Sequence, residues 1–426
     1  MKLRIQNGHV IDPASARDEV IDVWIDGSDV IGLGRRPSGF TPSRTIDASG
    51  MLVCPGFVDI GARLREPGFE HKGTIASELR AAAIGGFTTV CCMPDTDPVI
   101  DTPAVVELIH QRARDVRGAQ VLCIGALTRG LEGQVLAEMS ALKSIGCVAV
   151  SNASLAVTDT AVMANALSYA ATLGLTVLLQ SEDYWLARHG VMHEGAHGTR
   201  LGLAGIPSAA ETIGLARDLA LVENSGARAH FRTLSTTQAA ALMRAARRRG
   251  LPISCDVGLM HLSFDDTAIS NFDPTHHVRP PLRSARDRAG LIRALARGQI
   301  DAVTAHHEPH DADAKATPFA ASDPGISGFD TFVPQLMTLT RDNRLSLKRA
   351  IEACTAAPAN ILGLDRGTIA RGKPADLIII DPQREWLLDA TSMASAGKNN
   401  PLLGDRLRGR VVTTIVGGRV VHELAN

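Results

Sequence analysis

The run VCPGFVDI (53–60), the helical pattern TIASELRAAAIGG (74–86) and the run TTVCCM (88–93) decide the fold of this chain. A short apolar strand, a helix and a second apolar strand make a βαβ unit, which implies a parallel sheet. The same alternation continues downstream. Further strand candidates are QVLCIGA (120–126), CVAVS (147–151), TVLLQ (176–180), ARAHF (227–231), PISCD (252–256) and IDAVTA (300–305). Between them lie the helical patterns AVVELIHQRARD, TAVMANALSYAATLG, SAAETIGLARDLALVENSG and RDRAGLIRALARG. Eight strands alternating with helices over residues 53–364 read as an α/β chain folded into a (β/α)8 TIM-type barrel. In that fold the working residues follow the C-terminal ends of the strands.

Outside this stretch the pattern changes. Residues 1–52 alternate and turn quickly, with Asn7-Gly8 and Asp26-Gly27 as hairpin signals. Residues 365–426, with GTIARGKPADLIIIDP and GRVVTTIVGGRVVHE, have the same β-rich, glycine-punctuated character. The simplest arrangement is a small composite β-sandwich domain built from 1–52 plus 365–426 beside the barrel.

Composition excludes several functions. The chain has 426 residues and a formal net charge of −1, from 44 Lys+Arg against 45 Asp+Glu, so it lacks the basic field of a nucleic-acid binder. The strongest basic run, Arg247–Arg249, falls in the last turn of a helix, where cations suit the helix dipole. Aromatic residues are only 4 %, too few for a base-stacking platform. No apolar stretch reaches the ~18 residues of a membrane span, and MKLRIQNGHV is too polar for a signal peptide. The seven cysteines include no CxxC and lie mostly in apolar runs, which fits reduced core thiols and a cytoplasmic location.

The segments PGFVDIGARLREPG (55–68), GGFTTVCCMPDTDPVID (85–101), QSEDYWLARHGVMHEG (180–195), HVRPPLR (277–283), HHEPH (306–310) and DPGISGFDT (323–331) resemble dihydroorotases of the cyclic amidohydrolase superfamily. The match is ordered and covers nearly the whole chain; REPG and PPLR resemble dihydroorotase more than the sister hydantoinases and allantoinases. The resemblance implies interconversion of carbamoyl aspartate and dihydroorotate at a zinc site, where metal polarises the amide and supplies hydroxide.

At the positions where the family places its metal ligands this sequence departs from it. Gly61 and Arg63 stand in place of the His-x-His pair after the first strand, and Ala153 in place of the bridging carboxylate or modified lysine. Gln180 ends the fifth strand where the family has His, and Thr233 replaces the ligand of the His-x-x-His-x-Ser motif. His306 stands where an Asp would ligate metal and act as general base. A glycine and a guanidinium cannot ligate, so the resemblance implies no zinc, no cofactor and no catalytic residue here. Arg63 is expected to fill space that metals occupy in active relatives and to pair with an acceptor such as Asp95 or a strand-end carbonyl. The substrate shell is better kept: Arg65, His310 and the Pro324-Gly325 turn match the family, while Asp95 and Arg279 stand where it has asparagines.

Three readings follow. The first is a metal-free structural subunit that assembles with the catalytic subunit of aspartate transcarbamoylase, as a homodimer within a larger assembly, which the resemblance implies for such degenerate homologues. The second is an active cyclic-amide hydrolase with unusual ligands, such as a site relocated among His306, His307, Glu308 and His310, or His276 and His277. The third is a ligand-sensing pseudoenzyme using Arg65, Arg279 and His310. A Ser235-centred triad has no nucleophile elbow to frame it.

Overall fold

Eight parallel strands form a nearly closed barrel in the computed structural model, which describes residues 1–425. In barrel order they are Phe57–Ala62, Phe87–Cys92, Gln120–Ala126, Ala149–Ser151, Thr176–Leu179, Ala229–Phe231, Ile253–Gly258 and Ala302–Thr304. Buried Asp59 bridges the first and eighth strands: its carboxylate accepts from Gly61 N at 2.9 Å and from Ala305 N at 2.8 Å. Arg63 N adds a 3.0 Å bond to His307 O across the same seam. Near the start of the first two strands, Phe57, Phe87, Phe329 and Phe332 pack edge-on with ring centroids 4.8–5.7 Å apart, all fully buried. Each such ring contributes about 2–3 kcal/mol of burial.

The apolar run 53–60 is not one strand. Leu52–Pro55 pairs with the terminal strands Lys2–Asp12 and Leu377–Leu387, and only Phe57–Ala62 enters the barrel. Gly56 makes the crossing. A Cβ there would lie 2.1 Å from the Thr88 side chain, so only glycine lets the chain pass that close.

The terminal strands make one eight-stranded sheet with contributions from both chain ends. Its faces are written in the run LIII (377–380). Leu377 and Ile379 join Leu3, Ile5, Val23, Ile25 and Ile415 in the sheet's own core, while Ile378 and Ile380 turn to the barrel core. Side chains alternate faces along a strand, so an unbroken apolar run means both faces are covered. The segment between Leu377–Leu387 and Arg406–Val416 reaches back to the barrel, where Ser395 Oγ donates to Glu78 and Asn399 Nδ2 donates to Glu308 O and Gly325 O. All seven cysteines are free and buried. Among the described residues no helix is long and apolar enough to cross a membrane.

Candidate functional site

The C-terminal strand ends converge on a mouth whose backbone is strained at three of the six ligand positions. Ala153, Thr233 and His306 each follow a strand end with φ of 52°, 52° and 48°. This left-handed region costs a non-glycine residue about 1–3 kcal/mol and clusters at functional sites. The special backbone is present, and the side chains on it are a methyl, a hydroxyl and an imidazole.

Arg63, at the end of the first strand, lies across this mouth and is paired on all sides. Its Nε donates to Asp95 Oδ2 at 2.6 Å, Nη1 to Glu308 Oε2 at 2.9 Å and Nη2 to Ser154 Oγ at 2.6 Å. Burial opposes its charge, but Asp95 and Glu308 more than offset that and push its pKa up. Asp95 thus pairs with Arg63. Arg65 turns to Glu308 Oε1 at 3.4 Å, Pro309 O at 2.8 Å and His310 Nε2 at 3.0 Å. Burial raises the Glu308 carboxyl, yet Arg63 and Arg65 outweigh it and hold the group below the usual carboxylate range.

A second guanidinium is unforeseen in the sequence. Arg232, fully buried beside Thr233, donates Nη2 to Gly61 O at 3.1 Å. A Cβ at Gly61 would lie 2.7 Å from both Arg232 Nη2 and Met93 Sδ, so the missing side chain at 61 is the space Arg232 uses. The signal available was a charged residue inside the apolar strand end AHFRTL, opposite a new glycine.

The remaining positions lie around these two cations. Gln180 borders a void of about 10 Å³ shared with Glu211, Arg232, Thr233 and Arg283, room for about one water and far below the ~300–1,000 Å³ of small-molecule pockets. His306 is buried; that burial, with His261, Arg232 and Arg63 nearby, drives its pKa well down, so the ring is neutral. Arg279 gives two bonds to Glu182 Oε2, at 2.9 and 2.6 Å. His310 Nε2 lies 3.0 Å from both Arg65 Nη2 and the Pro324 carbonyl oxygen and, according to its tautomer, accepts from the first or donates to the second; burial and Arg65 lower its pKa to about 4. Pro324-Gly325 thereby stays at the mouth, with Gly325 N donating to His277 O. Among the other histidines, His307 lies 2.9 Å from Glu78 and His277 2.9 Å from Ser322. Ser235 Oγ accepts from Arg283 and has no histidine partner.

Zinc takes three or four imidazole, thiolate or carboxylate ligands. The six positions here offer one neutral imidazole beside an amide, a hydroxyl, a methyl, a guanidinium and a glycine, which does not fit. Among the described residues no group of three or more His, Cys, Asp or Glu is arranged to hold a metal.

The Dihydro-orotase-like family model matches residues 50–239, and an Amidohydrolase family model matches 299–422. A "Dihydroorotase-like protein" of Pseudomonas aeruginosa is 46 % identical over 99 % of this chain and 100 % of its own length. This chain belongs to the dihydroorotase-like family. This family member is also 45 % identical to a protein named dihydroorotase in Anaeromyxobacter dehalogenans, over 99 % of this chain and 98 % of the relative. In fold, this dihydroorotase-like chain is similar to the L-hydantoinase of Arthrobacter aurescens, with a TM-score of 0.88 at 23 % identity over 100 % and 96 % of the two chains. A D-hydantoinase from Thermus sp. gives 0.84 at 25 % identity, over 99 % and 95 %. These likenesses establish the barrel-plus-β-domain architecture of the cyclic amidohydrolases.

Proposed function

We propose that this dihydroorotase-like chain is a metal-free, non-catalytic subunit that supports the assembly of aspartate transcarbamoylase in pyrimidine biosynthesis. The observation that carries the reading is the Arg63 guanidinium, bonded at once to Asp95, Glu308 and Ser154 across the mouth where an amidohydrolase would hold its metals. Arg232 over Gly61 supplies a second fixed positive charge. Arg63, compensated by Asp95 and Glu308, places a paired positive charge where the family holds metal, and this supports a site that stands without one. It has neither a Lewis acid nor an Asp general base, because the base position is His306. The lack of a zinc-binding set at these positions supports the non-catalytic reading.

The ligand-sensing reading is weakened by the same geometry, since Glu308 and Glu182 occupy Arg65 and Arg279. The reading as an active dihydroorotase draws on relatives bearing that name at 45 % identity.

With the pocket closed, the surface carries the function. At the rim after the fifth strand, Tyr184, Trp185 and Leu186 are exposed, with Trp185 at 64 %. Tyrosine and tryptophan are the residue types that anchor interfaces. The chain would act in the cytoplasm as a homodimer inside a larger assembly with the catalytic transcarbamoylase subunit.

The test is size-exclusion chromatography of the purified chain with and without that subunit, beside complementation of a deletion strain by wild type and by Gln180→Ala. A shared early-eluting peak, with equal rescue of transcarbamoylase activity by both forms, is the expected result. Normal transcarbamoylase in the deletion strain would remove the reading, and rescue by wild type alone would return function to the pocket.

A further inference from the structure

Basic residues gather at one place outside the mouth. The stretches TRDNR (340–344) and DRLRGR (405–410) carry Arg341, Arg344, Arg406 and Arg408 on two elements that the fold brings together. Helix Phe332–Arg341 packs on strand Arg406–Val416, and Arg341 Nη1 donates to Arg408 O at 3.3 Å. Between them, with the turn after the seventh barrel strand as the third wall, runs a groove of about 280 Å³. Its floor is apolar: Leu262 and Leu339 are buried, and Phe264, Leu402 and Leu407 are half-buried.

The arginines round this floor are exposed and largely without acidic partners. Arg344 pairs with Asp342 at 3.3 Å. Arg341 reaches only Thr338 Oγ1 and the Arg408 carbonyl, and Arg408 reaches the Gln383 amide oxygen. Arg406 has no side-chain partner among the described residues. Of the neighbouring acids, Asp342 alone is in an ion pair with the four; Asp405 and Glu385 are adjacent in sequence or across the strand pair. Leu387, opposite Arg406 in the register, and Leu403, in the preceding turn, are 49 % and 44 % exposed. In a chain of net charge −1, this is a local concentration of positive charge around an apolar slot.

We propose that this groove receives an acidic segment of a partner protein, with one apolar side chain seated on Leu339, Leu402 and Leu407 and carboxylates against the four arginines. The chemistry selects that occupant. A small anion would use the guanidinium groups and leave the apolar floor wet, and an apolar peptide would leave the arginines unanswered. Arginine presents a planar fork to carboxylates and is enriched at interfaces for that reason. Exposed charges of this kind act mainly on association rate and salt dependence.

The proposal rests on the assembly reading and adds a second contact surface to the aromatic rim of the mouth. The experiment measures binding of the intact chain to the catalytic transcarbamoylase subunit by surface plasmon resonance at low and high salt. It uses wild type, the reversal Arg406→Glu/Arg408→Glu, and the conservative Arg406→Lys/Arg408→Lys. The positions are exposed, so unchanged urea midpoints will verify folding. Wild-type binding that weakens roughly tenfold or more on reversal, loses most of its salt dependence, and stays within about threefold for the lysine pair is the expected result. Wild-type binding that the reversal leaves within about twofold overturns the groove and leaves the assembly reading standing. No wild-type binding overturns the assembly reading and the groove's role with it. Capture of a poly-uridine RNA that the reversal abolishes would reassign the surface to nucleic acid.

Discussion

Replacing Arg63 with methionine keeps much of the stem and removes the guanidinium, leaving Asp95 Oδ2, Glu308 Oε2 and Ser154 Oγ without their donor. Breaking a buried ion pair by deleting one partner costs about 3–5 kcal/mol. Two features place this case at the lower end. The Asp95 and Glu308 side chains retain 22 % and 14 % exposure, and Glu308 keeps Arg65 at 3.4 Å. A loss of about 3 kcal/mol at pH 7 is therefore expected, read from urea unfolding followed by circular dichroism. The pH dependence gives the sharper test. In the wild type Glu308 is held below its ordinary range, so its contribution is present above about pH 4.5 and lost as pH falls through the folded value. Without Arg63, burial drives the same carboxyl upward, and it takes up a proton earlier. The gap between variant and wild type should be widest at neutral pH and narrow toward pH 5. A deficit below about 1 kcal/mol at pH 7, or one of equal size at pH 5, would refute the view that this ion network holds the mouth together.

Gly61→Ala should cost about 1–3 kcal/mol by overpacking against Arg232 and Met93, and less in an Arg232→Met background, which a double-mutant cycle in urea will read. Ala153, at φ 52°, should tolerate glycine with little change in midpoint, whereas β-branched valine there should lose about 2 kcal/mol. His261 and His310, each lowered to about 4 by burial, should stay neutral at pH 6 in NMR titrations. Their unfolded value is near 6.5, so the unfolded chain takes up protons first and stability should decline as pH falls from about 6.5 toward 4. The purified protein should contain no stoichiometric zinc, and chelator should leave its melting temperature within about 1 °C; a larger shift would mean a bound metal.

The barrel was legible because each strand is an apolar run followed by a helical pattern, and that alternation survives without any active-site residue. The exact strand limits were not. Residues 53–60 read as one strand-like run, yet Gly56 divides them between two sheets, and only the 2.1 Å approach to Thr88 shows why. In the site, the family resemblance put Arg63 at the mouth and offered Asp95 as one of its acceptors, which is the partner it takes. The choice of Glu308 as shared acceptor for Arg63 and Arg65 could not be read in advance, because it depends on how the loop after the eighth strand folds back. Arg232 was missed for a related reason. It lies one residue past the end of strand Ala229–Phe231 and immediately before the left-handed Thr233, where alternation along the strand no longer says which way a side chain turns. Ser395 and Asn399, distant in sequence, brace the mouth from the terminal segment, a long-range contact invisible to local pattern.

The Gly61–Arg232 contact also bears on history. A histidine cannot be placed at position 61 while the guanidinium occupies that space, and removing Arg232 first empties the volume it fills. Neither step is favourable alone. On the proposed reading the two positions form a ratchet: a chain of this kind would reach hydrolysis by a route other than restoring a histidine at 61.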